Sequence, residues 1–305
     1  MRTLILGCGY LGVALGGELV RRGAEVWGVR RSIAGDAALL QAGIRPVHAD
    51  VTQPGWSAGL PTDWDAVVYC AAPGAGTPGD YRAVYEAGVR GAIADLGRLR
   101  VRRVLYTSST SVYTAADGEW VTEESPAEPL DEKGRLLRAA ELMWTAAAGT
   151  VCETVLVLRI SGMYGWGRGY YLRRFLEGPE LDAGEAQRWV NQVHRDDVVS
   201  AAVLALERAP STRTYNVADD EPARLGEIFA WLTERLGRCA GSGHPVGTLP
   251  RRRRGAGDKR VSNARLKAEL GWQPRYPTYR EGYEAELRRM GLWPGGPAGE
   301  AMERV

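Results

Sequence analysis

The residues with the plainest chemical meaning stand at the beginning of the chain. Gly7-Cys8-Gly9-Tyr10-Leu11-Gly12 is a G-x-G-x-x-G run; the apolar Thr3-Leu4-Ile5-Leu6 precedes it, and Leu11, Leu15 and Leu19 recur at helical spacing. Strand, tight turn and helix in that order suit a pyrophosphate. Gly7 permits the turn, Gly9 lets a phosphate approach the backbone, and Gly12 allows close helix packing, with the helix N-terminus facing the anion. The motif predicts a dinucleotide site. Which dinucleotide depends on the end of the second strand, where a carboxylate about 20 residues on would hold the ribose hydroxyls of NAD. That place holds Arg30-Arg31-Ser32. Two guanidinium groups suit a 2′-phosphate, so the expected cofactor is NADP, with NAD as the alternative and a solvated arginine pair as the bland reading.

These residues need a framework. The chain has 305 residues, which at about 150 per domain suggests two domains or one large α/β unit. Hydrophobic residues make up 45% and charged residues 25%, a globular balance that argues against disorder, a coiled coil or a disulfide miniprotein. After the first strand, apolar runs at 24–29, 44–48, 66–70, 104–108 and 155–159 read as further strands. They lack strict alternation, as expected when both faces of a parallel sheet are covered. Helical patterns at 81–99 and 131–147 lie between them, and the alternation predicts a Rossmann-type, doubly wound α/β fold. Later, 189–206 reads as a short strand leading into a helix, 214–217 as a strand and 225–236 as an amphipathic helix. Cys8, Cys70, Cys152 and Cys239 lie far apart with no partner at metal spacing, so neither a disulfide framework nor a metal site is expected. A reducing cytoplasm is the expected location. No run reaches the ~18 apolar residues of a membrane span.

In detail the chain resembles the extended short-chain dehydrogenase/reductases, the superfamily of NAD-dependent epimerases and dehydratases, from residue 2 to about residue 290. Trp189-Val190-Asn191, Lys259-Arg260-Val261-Ser262-Asn263 and Arg275-Tyr276-Pro277 are similar to its YeeZ-like subgroup. The resemblance implies an adenine-binding role for Asp50-Val51 and a loop beneath the cofactor at Cys70-Ala71-Ala72-Pro73, with Ala71, Ala72 and Pro73 as contacts. It makes Thr107-Ser108-Ser109-Thr110-Ser111-Val112-Tyr113 the fifth-strand serine motif, with Ser108 at the cofactor. Ser109 then stands where a serine or threonine hydrogen-bonds the reacting oxygen. Leu158 to Gly165 resembles the sixth-strand motif beside the nicotinamide, and Val193-His194-Arg195-Asp196-Asp197-Val198 the start of a conserved helix that Asp196 or Asp197 could cap. Tyr215-Asn216-Val217 matches the last strand.

One part of the pattern is missing. The superfamily uses a Y-x-x-x-K pair, whose lysine helps lower the tyrosine from its ordinary pKa near 10 until it can move protons at neutral pH. Aligning Gly134-Arg135 and Glu141 with that helix puts Lys133 at the tyrosine position and Leu137 at the lysine position. The substitutes on offer are Lys133, Tyr113, Tyr164 and His194. Lys133 can equally be a solvated helix residue, and the tyrosines can be packing residues. Gly162 stands where sugar-nucleotide epimerases carry an asparagine, which weakens a UDP-sugar reading. The expected function is an oxidoreductase or epimerase-like enzyme acting on a small molecule, with Ser109, Tyr113, Lys133 and Tyr164 as catalytic candidates. The competing class is a non-catalytic NADP-binding sensor or structural protein.

The expected domains are an NADP-binding unit at 1–160, to which 190–218 returns, a substrate lobe from 161–189 and 219–292, and a flexible tail at 293–305. Net charge is only +2, from 39 basic and 37 acidic residues, so neither a nucleic-acid nor a membrane-surface partner is expected. The run Arg251 to Arg254 reads as an exposed loop. With Lys259 and Arg260 close behind, it leaves room for an anionic substrate. The helices 81–99 and 131–147 match those through which the family forms dimers, and Ala83, Ala87, Gly91, Ala139 and Ala140 would allow close approach. A homodimer is therefore expected.

Overall fold

The computed structural model describes residues 1–74, 77–178, 181–237 and 257–294. The arginine run 251–254 and the chain from 295 onward lie outside the described residues. Seven strands form one parallel sheet: β1 (Arg2–Leu6), β2 (Glu25–Arg30), β3 (Arg45–His48), β4 (Asp63–Tyr69), β5 (Arg100–Ser109), β6 (Cys152–Ile160) and β7 (Arg213–Val217). Their spatial order is β3-β2-β1-β4-β5-β6-β7, so the chain reverses direction across the sheet between β1 and β4. Crevices at the carboxyl ends of strands beside such a reversal are where open α/β sheets hold ligands.

Apolar residues fill both faces of the central strands because these are covered twice, whereas the edge strand β3 is partly exposed. Ile5 packs with Leu11, Leu15 and Leu19 of α1 (Tyr10–Arg21) on one side, while Leu4 and Leu6 join Tyr85, Val89 and Trp144 on the other. Alternation of side chains along a strand produces this division. The second face is covered by the helical stretch 78–96 and by α2 (Glu132–Ala146). The 78–96 stretch starts three residues ahead of the spacing-based expectation, because Thr77 and Asp80 form a capping box that satisfies its first amides. It widens to a π-helix over Ala83–Gly88.

A second core lies outside the sheet. Tyr164, Phe175, Phe229, Tyr283 and Leu287 pack together beneath α4 (Leu225–Leu236) and α5 (Tyr279–Arg289). The short parallel pair Gly162–Tyr164 and Gln192–His194 ties this lobe to the end of β6, and α3 (Arg195–Arg208) then returns to the sheet. Near the end of the described residues, the Trp293 ring lies 6.2 Å from that of Trp231 and carries the Arg288 guanidinium at 5.4 Å. Neither Asp196 nor Asp197 caps α3. His194 Nδ1 accepts the Asp196 amide at 3.2 Å, and the Asp197 carboxylate accepts the amides of Arg275 and Tyr276 at 2.6 and 3.0 Å.

Candidate active site

A cleft of about 630 Å³ opens at the carboxyl ends of β1, β2, β4, β5 and β6. Its wall includes Gly7 to Leu11, Arg30 to Ser32, Asp50 to Thr52, Ala71 to Pro73 and Thr107 to Ser109. Ser161, Met163 and Arg168 close it from the other lobe. A broader groove of about 830 Å³ lies at the opposite, amino ends of the strands, away from every motif residue.

The first turn is shaped to admit a phosphate. Gly7 has φ +87°, and a Cβ there would run into the backbone of Ala71, so no other residue fits. A Cβ at Gly9 would meet nothing closer than the Gly7 oxygen at 3.9 Å, which leaves open space above the amides that begin α1. At the β2 end of the cleft, Arg30 Nε is buried without a hydrogen-bond partner, and the Arg31 guanidinium lies near Gly74. Asp50 is held by Thr52, whose amide and hydroxyl donate to it at 3.0 and 2.8 Å. An open glycine cradle with an unsatisfied guanidinium atom at the same cleft fits an adenine dinucleotide.

Behind the cleft runs a buried polar chain. Glu141, on the inner face of α2, is 1% exposed and takes Arg159 in a two-pronged pair at 3.0 and 2.7 Å. It also accepts from Ser108 at 2.6 Å and from Arg138 at 2.9 Å. Arg159 donates onward to the Tyr113 hydroxyl at 2.8 Å, which donates to Asn216 Oδ1 at 2.8 Å. The sequence carried a signal for this chain: a glutamate amid the apolar positions Leu137, Ala140 and Trp144, and an arginine at the end of an apolar strand.

Ser109 reaches the cleft. Its Oγ accepts from the Ser111 amide at 3.2 Å and hydroxyl at 3.0 Å, so its own proton is free to point inward. The other three catalytic candidates lie elsewhere. The Tyr113 hydroxyl is enclosed by Arg159 and Asn216; burial raises its pKa and the Arg159 charge only partly offsets that. Tyr164 sits in the core of the second lobe against Gly282, Tyr283 and His194, and burial keeps it protonated. Lys133 is exposed, with its ammonium over the Tyr81 ring at 5.5 Å, and Leu137 is buried beneath it. The Ser108 hydroxyl is committed to Glu141 although its residue lines the wall. Lys259 is half-buried; burial lowers its pKa, with the Arg188 charge adding to the shift, and its ammonium donates to the Tyr113 carbonyl at 3.3 Å.

Sequence reading missed Glu286. This carboxylate, 2% exposed on α5, accepts the amides of Trp166 at 2.6 Å and Gly167 at 3.2 Å. His194 Nε2 lies 3.8 Å away, beyond hydrogen-bond distance. Burial alone would raise the Glu286 pKa, but the neighbouring His194 ring, the Trp166 and Gly167 amides and the Arg289 charge outweigh it and hold it below its ordinary 4.5. A depressed folded-state value stabilises the fold above the unfolded value, and this contribution disappears as pH falls through the folded one. Unfolding midpoints of the wild type and Glu286→Gln, measured from about pH 7 down to about pH 3, should therefore converge as the pH drops. A gap that stays constant would show that the charge of Glu286 contributes nothing.

A parallel sheet of this order, with a glycine turn at its reversal point, defines an α/β dinucleotide-binding protein. More narrowly, the chain belongs to the NAD dependent epimerase/dehydratase family, whose model matches residues 3–218. Protein YeeZ of Escherichia coli K12 is 31% identical over 287 residues, covering 90% of this chain and 96% of that protein. A solved structure from Methylobacillus flagellatus, assigned to the NAD-dependent epimerase/dehydratases, superposes with a TM-score of 0.75 at 33% identity, covering 95% of this chain and 98% of its own. MoeE5 in complex with UDP-glucuronic acid and NAD shares the fold at a TM-score of 0.78 and 23% identity, over 96% of this chain and 100% of that one.

Proposed function

We propose that the protein is an NADP-dependent oxidoreductase acting on a hydroxyl or carbonyl group of a small molecule. One observation carries this reading: a single cleft brings together the glycine turn, the partnerless Arg30 Nε and a Ser109 whose proton is free. NADP(H), when bound, supplies or accepts a hydride at its nicotinamide ring. Gly7 to Gly12 and the start of α1 would receive its pyrophosphate, Arg30 and Arg31 its 2′-phosphate, and Asp50 and Val51 its adenine edge. Ser109 donates a hydrogen bond to the reacting oxygen and holds that oxygen in place. Ser111, by donating to Ser109 Oγ, directs the proton of Ser109 into the cleft.

The test is NADPH oxidation followed by absorbance across a panel of small carbonyl compounds. Ser109→Ala should lower kcat by about 100- to 1,000-fold, the effect of deleting one donor at a developing oxyanion, with NADPH affinity unchanged. Turnover that survives Ser109→Ala would remove the serine from the reaction. The non-catalytic reading has its own support, since Tyr113, Lys133 and Tyr164 all lie away from the cleft. Under that reading NADPH binds and its absorbance stays constant with every compound.

We also propose a homodimer through the 78–96 helices and α2. Ala83, Ala87 and Ala139 are exposed there, and Leu142 is 54% exposed on the same helix pair. Ala140, by contrast, faces the core. Light scattering separates dimer from monomer.

A further inference from the structure

The loop Gly165 to Gly169 enters the cleft from the second lobe, and neither the glycine motif nor the arginine pair accounts for it. We propose that Arg168 is a clamp for the dinucleotide's pyrophosphate, closing on it from the side opposite the glycine turn. The inference rests on the reading that the cleft holds a dinucleotide.

Position comes first. Arg168 lines the cleft, and its guanidinium lies 4.4 Å over the ring of Tyr10, the first residue of α1. It therefore stands beside the helix start where phosphate charge is best accommodated. Charge comes second. The neighbouring arginines have carboxylates: Arg195 bonds Asp196 at 3.0 Å and Arg289 lies 3.4 Å from Glu286. The Arg168 guanidinium makes no ion pair or side-chain hydrogen bond among the described residues. A cation kept in a cleft without a counter-charge is suited to an incoming anion, and its planar donors match two phosphate oxygens at once.

The loop that carries this exposed side chain is also firmly built. Gly165, Trp166 and Gly167 have φ of 116°, 45° and 84°, three successive left-handed residues. A tryptophan at positive φ persists only where its surroundings enforce it. Here the buried Glu286 carboxylate takes the amides of Trp166 and Gly167, and Asp196 takes the Trp166 indole at 2.8 Å. The Gly165 amide donates to the Arg168 carbonyl at 2.7 Å, and the Arg168 amide donates back to Gly165 at 3.1 Å. The Tyr10 hydroxyl, pushed up to about 12 chiefly by burial and so always protonated, donates to the Gly165 carbonyl. The glycine turn and the Arg168 loop are thus fastened to each other across the cleft.

The experiment compares dissociation constants for NADPH, NADH, ADP-ribose and 2′-AMP in the wild type, Arg168→Ala and Arg168→Lys. The alanine variant should weaken NADPH, NADH and ADP-ribose by a common factor of about 10 to 100, the range for losing a hydrogen bond to a charged group. The NADPH-to-NADH ratio should hold, and 2′-AMP, which has no pyrophosphate, should bind as before. Arg168→Lys, retaining charge without the fork, should fall between. Unchanged affinities in Arg168→Ala would overturn the clamp. A changed NADPH-to-NADH ratio would place Arg168 at the 2′-phosphate and overturn it as well. If Arg168→Ala melts well below the wild type, the lysine variant carries the test, and its equality with the wild type for ADP-ribose would count against two-pronged binding. A wild type that binds no dinucleotide would remove the parent reading with it, which separates the two failures.

Discussion

Glu141→Ala is expected to lower the unfolding free energy by about 3–5 kcal/mol, the usual cost of stripping one partner from a buried ion pair. The reason is in the geometry. Arg159 is 3% exposed, and without Glu141 its charge would keep only the Tyr113 hydroxyl as acceptor among its present side-chain partners, while Ser108 would lose its acceptor altogether. A single neutral hydroxyl does not compensate the desolvation of that cation. The double variant Glu141→Leu with Arg159→Met removes both charges and should recover most of the loss, because apolar replacements of a buried pair are often neutral or stabilising. Denaturant titrations with matched slopes measure both. A single variant costing under about 1 kcal/mol would mean that the pair behaves like an exposed one.

Gly7→Ala should have the other large effect. The left-handed backbone costs an alanine about 1–3 kcal/mol, and collision with the Ala71 backbone adds about 1–3 kcal/mol of overpacking. Ala71 is the second residue after β4, and both Gly7 and Cys8 donate their amides to Val29 near the end of β2, at 3.1 and 2.9 Å. Neither side can yield without disturbing the sheet. Dinucleotide affinity should therefore fall by about 100-fold or more, since about 2.8 kcal/mol corresponds to that factor. Gly23→Ala is the control, for Gly23 has φ +82° but nothing within 4 Å of its added Cβ. It should lose some stability and bind dinucleotide as the wild type does. Equal behaviour of the two variants would show that the contact with Ala71 is unimportant.

Local pattern conveyed much of the molecule. The glycine run and the apolar strands determine a parallel sheet, because a turn motif followed by helical leucines has few other uses. The role expected of Ser109 came from the resemblance of 107–113 to the family's fifth-strand motif, and the residue does line the cleft. What pattern did not convey was direction. Tyr113 and Tyr164 stand in motifs beside the cleft, yet their side chains turn into buried networks, since the fate of a tyrosine hydroxyl depends on partners such as Asn216 or on lobe packing distant in sequence. Glu286 was missed for a similar reason. A glutamate late in an ordinary amphipathic helix gives no local sign that it holds backbone amides 119 and 120 residues away. The capping of α3 by His194, in place of either aspartate, likewise depended on what Asp197 met across the fold.

The proposed function requires NADP(H) to be held in this cleft by Arg30 and Arg31. The most direct measurement is titration of the wild type and of Arg30→Ala with Arg31→Ala by NADPH and by NADH. The wild type should bind NADPH about 10-fold tighter or more, as a hydrogen-bonded charge contributes at least about 1.5 kcal/mol, and the double variant should bind the two alike. A wild type that binds NADH as tightly as NADPH would contradict it.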